Sequence, residues 1–459
     1  MSQVKVEKEN KMGVMPVNRL LLSMSLPMMI SMLVQALYNI VDSVFVSYIN
    51  ENALTAVSLA FPIQSLLIAF GVGTGVGVNA LLSRCLGEKD FKTANKAAEN
   101  GLFLAVVTYV VFLVVGLFIA KPFYLSQTND PQIVEYGVTY LRIVCIFSIG
   151  MLLQMMLEKL LQSTGKTMFT MITQAVGAIV NIIFDPILIF GLFGFPKMGI
   201  AGAAMATIFG QCLGGGLALF FNLRYNHEIS LNMKGFRPDP AIIGKIYTVG
   251  APSIVMQAIG SVMTYGMNRI LIGFTSTATA VFGVYFKVQS FVFMPVFGLN
   301  NGMVPIIAYN FGAGKKERVI KTMKLSVLYA LVIMAAGLAV FQIAPQFLLG
   351  MFNASDNMLA IGVPALRIIS LSFLFAAFGI VAGSFFQALG NGVYSMFVSM
   401  ARQLIVLLPA AWLLSLAGNV ELVWWSFPIA EVVSFSLCLF FTLRINKKVV
   451  RHIGEEKAE

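Results

Sequence analysis

Six acidic residues fall inside the long apolar stretches of this sequence, and two of them follow a polar residue by one helical turn. These two are Asp42, preceded by Tyr38, and Asp185, preceded by Asn181. In an α-helix the i, i+4 spacing places each partner on the same face as its acid. An ionisable residue within a membrane span is costly and is a functional hypothesis by default. The pattern predicts a buried polar site around Asp42 and Asp185.

Two kinds of chemistry fit such a site. Burial favours the neutral form of a carboxyl group, so the acids can exchange a proton near neutral pH. Alternatively, Asp42, Asn181 and Asp185 can hold Na⁺, because hard cations prefer oxygen ligands. Glu158 is a third acid in the same half of the chain. A purely structural interpretation is that the acids pair with a buried arginine, for which Arg142 is available.

The composition places these residues in a membrane. Of 459 residues, 58% are apolar and 11% are charged, whereas a soluble domain carries about 25% charged residues. Gly165-Lys166-Thr167 resembles the end of a phosphate-binding loop, but Leu160 stands where that motif needs a glycine. We expect no ATP site, no cofactor other than H⁺ or Na⁺ as a coupling ion, no nucleic-acid partner and no enzymatic activity.

Twelve stretches are long and apolar enough to cross a bilayer, which takes about 20 residues each. The predicted helices cover residues 20–47, 54–83, 98–119, 134–157, 168–191, 199–222, 247–273, 279–308, 323–343, 359–385, 395–416 and 421–443. If both termini are cytoplasmic, the inner segments hold 24 Lys and Arg residues and the outer loops hold two, Lys121 and Lys197. This bias predicts a multi-pass protein with both ends in the cytoplasm.

An internal repeat gives the architecture. Leu141-Arg142-Ile143 recurs as Leu366-Arg367-Ile368, and Gly87 recurs as Gly312, at one offset of 225 residues that equals six helices. Two six-helix halves of equal orientation predict a pseudo-two-fold axis along the membrane normal. We therefore expect an N-terminal segment (1–19), an N-lobe (20–222), a cytoplasmic linker (223–246), a C-lobe (247–443) and a cytoplasmic tail (444–459), with a cavity between the lobes.

The repeat is asymmetric in its acids, because Asp42, Glu158 and Asp185 map onto residues that are not acidic. This places the expected ion site in the N-lobe alone. Pro27, fifteen residues before Asp42, permits a kink and a hinge in the first helix. On the second helix Gly71 with Gly75 and Gly73 with Gly77 form two pairs spaced by four residues, a spacing that allows close helix contact.

These residues resemble the multidrug and toxic compound extrusion (MATE) family over nearly the full length, and in particular its Gram-positive multidrug exporters. The matching segments are Leu26-Pro27, residues 38–42 (YNIVD), residues 86–90 (LGEKD), residues 181–186 (NIIFDP), residues 199–207 (GIAGAAMAT), residues 304–310 (VPIIAYN) and residues 428–431 (PIAE). The resemblance implies an all-α fold with two six-helix bundles in a V shape. It also implies export of amphipathic, often cationic compounds against H⁺ or Na⁺.

By motif, the resemblance assigns Asp42, Asn181, Asp185 and Thr207 to the family's ion or proton network and Pro27 to its bending first helix. Glu158 matches the Gram-positive branch. We expect small lipophilic or cationic substrates, the lipid bilayer as partner, a monomer, and the bacterial plasma membrane as location. The alternative function is a flippase for lipid-linked oligosaccharides or peptidoglycan precursors, which would place basic residues in the cavity. The residues available for that role are Arg142, Arg269, Lys287, Arg367 and Arg402.

Overall fold

The computed structural model describes residues 9–455, and this part of the chain is helical without a β-strand. Ten single helices are long and apolar enough to span a membrane, and two further spans are bent pairs of helices, so the predicted number of twelve is confirmed. The spans are α1 (Val17–Ser47), α2 (Glu51–Gly87), α3 (Phe91–Gln127), α4 (Pro131–Ile146 with Ile149–Ser163), α5 (Thr167–Phe190), α6 (Ile200–Tyr225), α7 (Pro240–Ile272), α8 (Ser276–Gly312), α9 (Lys316–Ile343), α10 (Asp356–Ser370 with Phe373–Ala388), α11 (Gly392–Ser415) and α12 (Val420–His452). Two short helices, Lys11–Val14 and Pro345–Gly350, complete the fold.

The helices extend beyond the apolar stretches because capped polar turns continue them past the hydrocarbon. The Asn50 side chain accepts from the Ala53 amide to start α2, and Asp90 accepts from Thr93 to start α3. Asp239 caps α7, whose first residue, Pro240, has no amide hydrogen to leave unsatisfied. As a result α6 ends at Tyr225 and α7 begins at Pro240, so the linker between the lobes is shorter than the predicted 223–246.

Two spans are bent at equivalent places in the two halves. The parts of α4 meet at 44° and those of α10 at 52°. Each bend contains a serine whose hydroxyl donates to the carbonyl three residues earlier: Ser148 to Cys145 in α4, and Ser372 to Ile369 in α10. Such local hydrogen bonds compete with the helical ladder. Hydropathy does not detect these bends, because the apolar character continues through them.

The two six-helix lobes, α1–α6 and α7–α12, meet along a seam with pseudo-two-fold symmetry. Helices α2 and α8, which are repeat equivalents, pack on each other, and α1–α8 mirrors α2–α7. At the centre, a Cβ added at Gly87 would meet the backbone of Tyr309 in α8. A Cβ added at its repeat equivalent, Gly312, would meet the backbone of Arg84 in α2. The equivalent glycines therefore permit the same close approach from both sides, as a symmetric interface requires.

The predicted glycine pairs on α2 are confirmed, and they serve two different contacts. A Cβ at Gly71 or Gly75 would meet side chains of α4 within the N-lobe, at Met155 and Lys159 respectively. A Cβ at Gly73 or Gly77 would meet the backbone of α7 in the C-lobe. One face of α2 thus packs inside its own lobe, and the adjacent face forms the seam.

The glycine contacts between the two lobes lie on one side of the molecule. The glycine contacts across the seam involve residues 73–88, 246–254 and 298–313, in the halves of α2, α7 and α8 that approach the basic loops 84–97, 223–246 and 310–324. We call that side the basic face. The glycine contacts between the lobes are therefore confined to the half of the molecule at the basic face, as a V-shaped pair of bundles requires.

Candidate functional site

The two acids singled out by their spacing lie side by side in the N-lobe. Asp42 of α1 and Asp185 of α5 have carboxyl groups within hydrogen-bonding reach of each other. Asp185 is fully buried, whereas Asp42 is partly exposed. The Oδ1 atoms of both have no protein hydrogen-bond partner within residues 9–455. Two carboxylates in contact repel each other strongly unless a proton or a cation lies between them.

Asn181 and Thr207 connect this acid pair to α6. With the Asn181 amide oriented to satisfy its neighbours, Nδ2 donates to Asp185 Oδ2 at 3.0 Å. Its oxygen accepts from the Thr207 hydroxyl at 3.0 Å and from the Thr207 amide at 2.9 Å. The Tyr38 hydroxyl reaches the Thr207 side chain. The structure thus brings together five of the predicted site residues, from α1, α5 and α6.

Two residues of this neighbourhood were missed from the sequence. Tyr140 of α4 is buried, lies within electrostatic range of Asp42 and accepts a hydrogen bond from Gln64 Nε2 of α2 at 3.1 Å. The internal repeat could have pointed to these two residues. Gln64 is retained in the second half as Gln289, whereas the counterpart of Tyr140 is an alanine, Ala365. Tyr140 therefore belongs, like the acids, to features present in one half only.

Glu158 lies in a separate polar cluster. Its carboxylate accepts from Gln154 at 3.0 Å, from Thr173 at 2.7 Å and from Gln174 at 2.8 Å. Gln174 precedes Asp185 by eleven residues on α5, or roughly 16 Å along the axis at 1.5 Å per residue. The structure therefore does not place Glu158 in direct contact with the acid pair.

The neighbour of Glu158 reaches across the seam. Lys159 Nζ donates to Gln162 Oε1 and to Asn301 Oδ1 of α8, each at 3.0 Å. The residue that follows Glu158 in α4 thus makes a hydrogen bond to the C-lobe. Relative movement of the lobes at the basic face must break this contact.

Pro27 lies at the seam, where α1 packs on α8. Helix α1 runs through Pro27 without interruption. Ser25 donates to the carbonyl of Leu299 at 3.2 Å, and Gly298 and Gly302 admit the α1 backbone on either side of Pro27. A change of curvature at Pro27 would therefore alter the contact between the lobes.

The N-terminal segment connects both lobes at the basic face. Asn10 Nδ2 donates to the carbonyl of Thr164 in the N-lobe at 3.1 Å. The carbonyl of Met12 accepts from Asn310 at 2.9 Å and from Arg318 at 2.8 Å, both in the C-lobe. A hydrogen bond from Lys315 lowers the pKa of Glu9 below its ordinary value. We call residues 9–15 the strap; it stabilises the closed basic face.

The intramembrane basic residues do not join the acid pair. Arg402 forms an ion pair with Glu431 at 2.8 Å. Arg367 donates to the carbonyl of Gln342, and Lys287 lies over the ring of Phe352. Arg269 and Arg142 are exposed. The alternative in which Arg142 neutralises the buried acids is wrong, because Arg142 makes no ion pair within residues 9–455.

A family model described as MatE matches residues 27–187 and 252–413. The two matches begin 225 residues apart, at the offset of the internal repeat, and the first includes Pro27, Asp42 and Asp185.

Relatives and solved structures match over almost the whole chain. Multidrug export protein MepA of Staphylococcus haemolyticus (strain JCSC1435) is 28% identical over 93% of each chain. MepA of Staphylococcus aureus (strain MRSA252) is 25% identical over 94% of this chain and 93% of the relative. A structure described as the outward-facing conformation of a multidrug resistance MATE family transporter of the MOP superfamily aligns with a TM-score of 0.90 at 24% identity, over 96% of this chain and 98% of that one.

Proposed function

Because the chain belongs to the MatE family, we propose that it is a secondary active multidrug exporter that is driven by H⁺ or Na⁺ entering at Asp42 and Asp185. Its substrates are amphipathic, often cationic compounds, in keeping with the MepA multidrug export proteins that it resembles. The proposal also places the protein in the bacterial plasma membrane, with the basic face toward the cytoplasm.

One observation carries this proposal: two carboxyl groups inside the N-lobe are in contact with each other, and neither has an arginine partner within residues 9–455. An ion between them relieves their repulsion, and losing that ion restores it. A ligand shifts a conformational equilibrium only through its different affinities for the two states. Since Asp42 is on α1 and α1 forms the seam, occupancy of the acid pair is coupled to the packing of the lobes.

The hydrogen bonds around the pair favour a proton as the occupant. Asn181 presents its Nδ2 to Asp185, so in this arrangement it donates a hydrogen bond rather than providing an oxygen ligand. Binding of Na⁺ by Asp42, Asn181 and Asp185 would require the amide to rotate, which exchanges its two bonds from Thr207 for a single bond from Nδ2 to the Thr207 hydroxyl. A proton shared between the carboxyl groups requires no such change.

Transport in proteoliposomes tests the function. Proton and Na⁺ gradients are imposed separately, and uptake of a fluorescent lipophilic cation is followed for the native protein, Asp42→Asn and Glu421→Gln. Glu421 is an exposed acid in the C-lobe, which makes it a matched control. We expect gradient-driven uptake that is lost in Asp42→Asn and retained in Glu421→Gln. Uphill uptake in Asp42→Asn would refute the proposed ion site, and no flux under either gradient would favour the flippase function.

The orientation has its own test. In a background without the four native cysteines, single cysteines replace Lys234 at the basic face and Lys197 at the opposite face. A membrane-impermeant maleimide added to intact cells should label position 197 and leave position 234 unlabelled. The reverse pattern would overturn the orientation while leaving the ion site untouched.

A further inference from the structure

A groove of about 520 Å³ lies between the end of α3 and the start of α4, on the face opposite the basic loops. Lys121 and Leu125 of α3 line one side, and Val134, Glu135 and Arg142 of α4 line the other. The groove lies on the outside of the N-lobe and is distinct from the acid pair, which α1, α5 and α6 position. It contains two cations and one anion between apolar walls.

The three charged side chains of the groove are available to a ligand. Lys121, Glu135 and Arg142 are exposed, and none of them makes a hydrogen bond or an ion pair within residues 9–455. A charge near a bilayer is costly when it has no counter-charge. An arginine eleven residues into a membrane-spanning helix therefore requires a partner that the described protein does not supply.

The groove continues a lipid-facing surface. Along α3, Val111, Val114 and Phe118 are 55%, 48% and 71% exposed, and in a membrane span such side chains contact acyl chains. This apolar stripe ends at Lys121. A π-helical turn, Val115–Ile119, lies between Val114 and Lys121, and this kind of helix distortion is frequent at functional sites. A lipid whose chains lie on the stripe therefore has its headgroup beside Lys121 and Arg142.

The second half of the repeat provides a contrast. Arg367, the counterpart of Arg142, donates from Nε to the carbonyl of Gln342. The counterparts of Lys121 and Glu135 are Gln346 and Ala360. The arginine is thus present in both halves, but the complete set of three charges occurs in the N-lobe alone.

We propose that this groove binds the headgroup of a phospholipid that carries both a phosphate and a primary amine, of the phosphatidylethanolamine class. Arg142 and Lys121 hold the phosphate, to which guanidinium and ammonium groups donate charge-assisted hydrogen bonds. Glu135 accepts from the lipid ammonium. An anionic headgroup without an amine leaves Glu135 without a partner, and a quaternary ammonium has no N–H to donate to it, so the groove selects a headgroup that has both a phosphate and a primary ammonium.

Native mass spectrometry of the purified full chain tests this site, with phosphatidylethanolamine, phosphatidylglycerol and phosphatidylcholine titrated separately. We expect the native protein to bind the ethanolamine lipid most tightly. The double variant Lys121→Gln/Arg142→Gln should lose about 30-fold in affinity, because a cation at a phospholipid surface contributes about 1 kcal/mol, or roughly fivefold. Glu135→Gln should remove the preference for ethanolamine and retain binding.

Arg367→Gln is the matched control, and it should leave lipid binding unchanged. Arg142→Lys retains the charge and should bind lipid, and gel filtration verifies that each variant is folded. Water-soluble glycerophosphoethanolamine distinguishes binding of a lipid from binding of the free headgroup. We expect it to compete weakly, because it lacks acyl chains. Equal affinity of the native protein for the three lipids, or equal losses in the double variant and in Arg367→Gln, would overturn the proposal.

Discussion

Closure of the basic face depends on Gly302, and Gly302→Ala should favour the state in which that face is open. A Cβ at position 302 would lie 2.8 Å from both N and Cα of Ser25. These are backbone atoms of α1, close to Pro27, so no side chain can rotate away. Overpacking of this kind costs about 1–3 kcal/mol. Because the cost applies where α1 and α8 are in contact, it should shift the equilibrium toward the open basic face by about 5- to 150-fold.

Gly283→Ala on the same helix is the control, because nothing lies within 4 Å of a Cβ at that position. Both substitutions remove a helical glycine and gain about 1 kcal/mol of helix propensity, which cancels in the comparison. Spin labels at the exposed residues Lys92 and Lys321 report the separation of the lobes at the basic face. We expect longer distances in Gly302→Ala than in Gly283→Ala. Identical distance distributions would refute the role of this contact.

Three further predictions concern contacts away from that glycine. Arg402→Ala should lower the free energy of unfolding by about 1–3 kcal/mol, because it leaves the partly buried Glu431 without its partner; a thermal melt would show it, and replacing both residues with apolar ones should restore most of the loss. Asn181→Ala should slow coupled transport by about tenfold or more, since one hydrogen bond to a charged group contributes about 1.5–3 kcal/mol; rates equal to native would contradict this. Arg318→Ala should increase amide hydrogen exchange in the strap without abolishing transport, and unchanged exchange would show that the strap is held by other contacts.

Much of the fold follows from one-dimensional signals. The number of spans depends on apolar length, and the repeat depends on a constant offset, so both are visible in a single sequence. The bends in α4 and α10 are not, because Ser148 and Ser372 break the ladder without changing the hydropathy. The predicted starts of α3 and α7, at residues 98 and 247, come too late in the chain. The helices begin at Phe91 and Pro240, in capped polar turns that lie outside the apolar stretches.

The sequence predicted those residues of the candidate site that follow a pattern within a single helix. The i, i+4 pairs ending at Asp42 and Asp185 lie on single helices, and burial of an acid is itself a signal. Residue spacing does not predict which helices contact each other. Thr207 was therefore assigned to the site only by the family resemblance, and Tyr140 was missed. Glu158 has the same chemical type as the other acids but points into a different cluster, which only the packing of α4 against α5 decides.

Proton release on drug binding tests the central claim most directly. Substrate and ion are expected to compete, and linkage between two ligands is reciprocal. The purified protein is mixed with a lipophilic cation in weakly buffered solution containing a pH indicator, with and without Na⁺. We expect drug binding to release protons from the native protein, and the release to vanish in Asp42→Asn and Asp185→Asn while the drug still binds. Undiminished release in both variants would contradict the assignment of the acid pair as the coupling site.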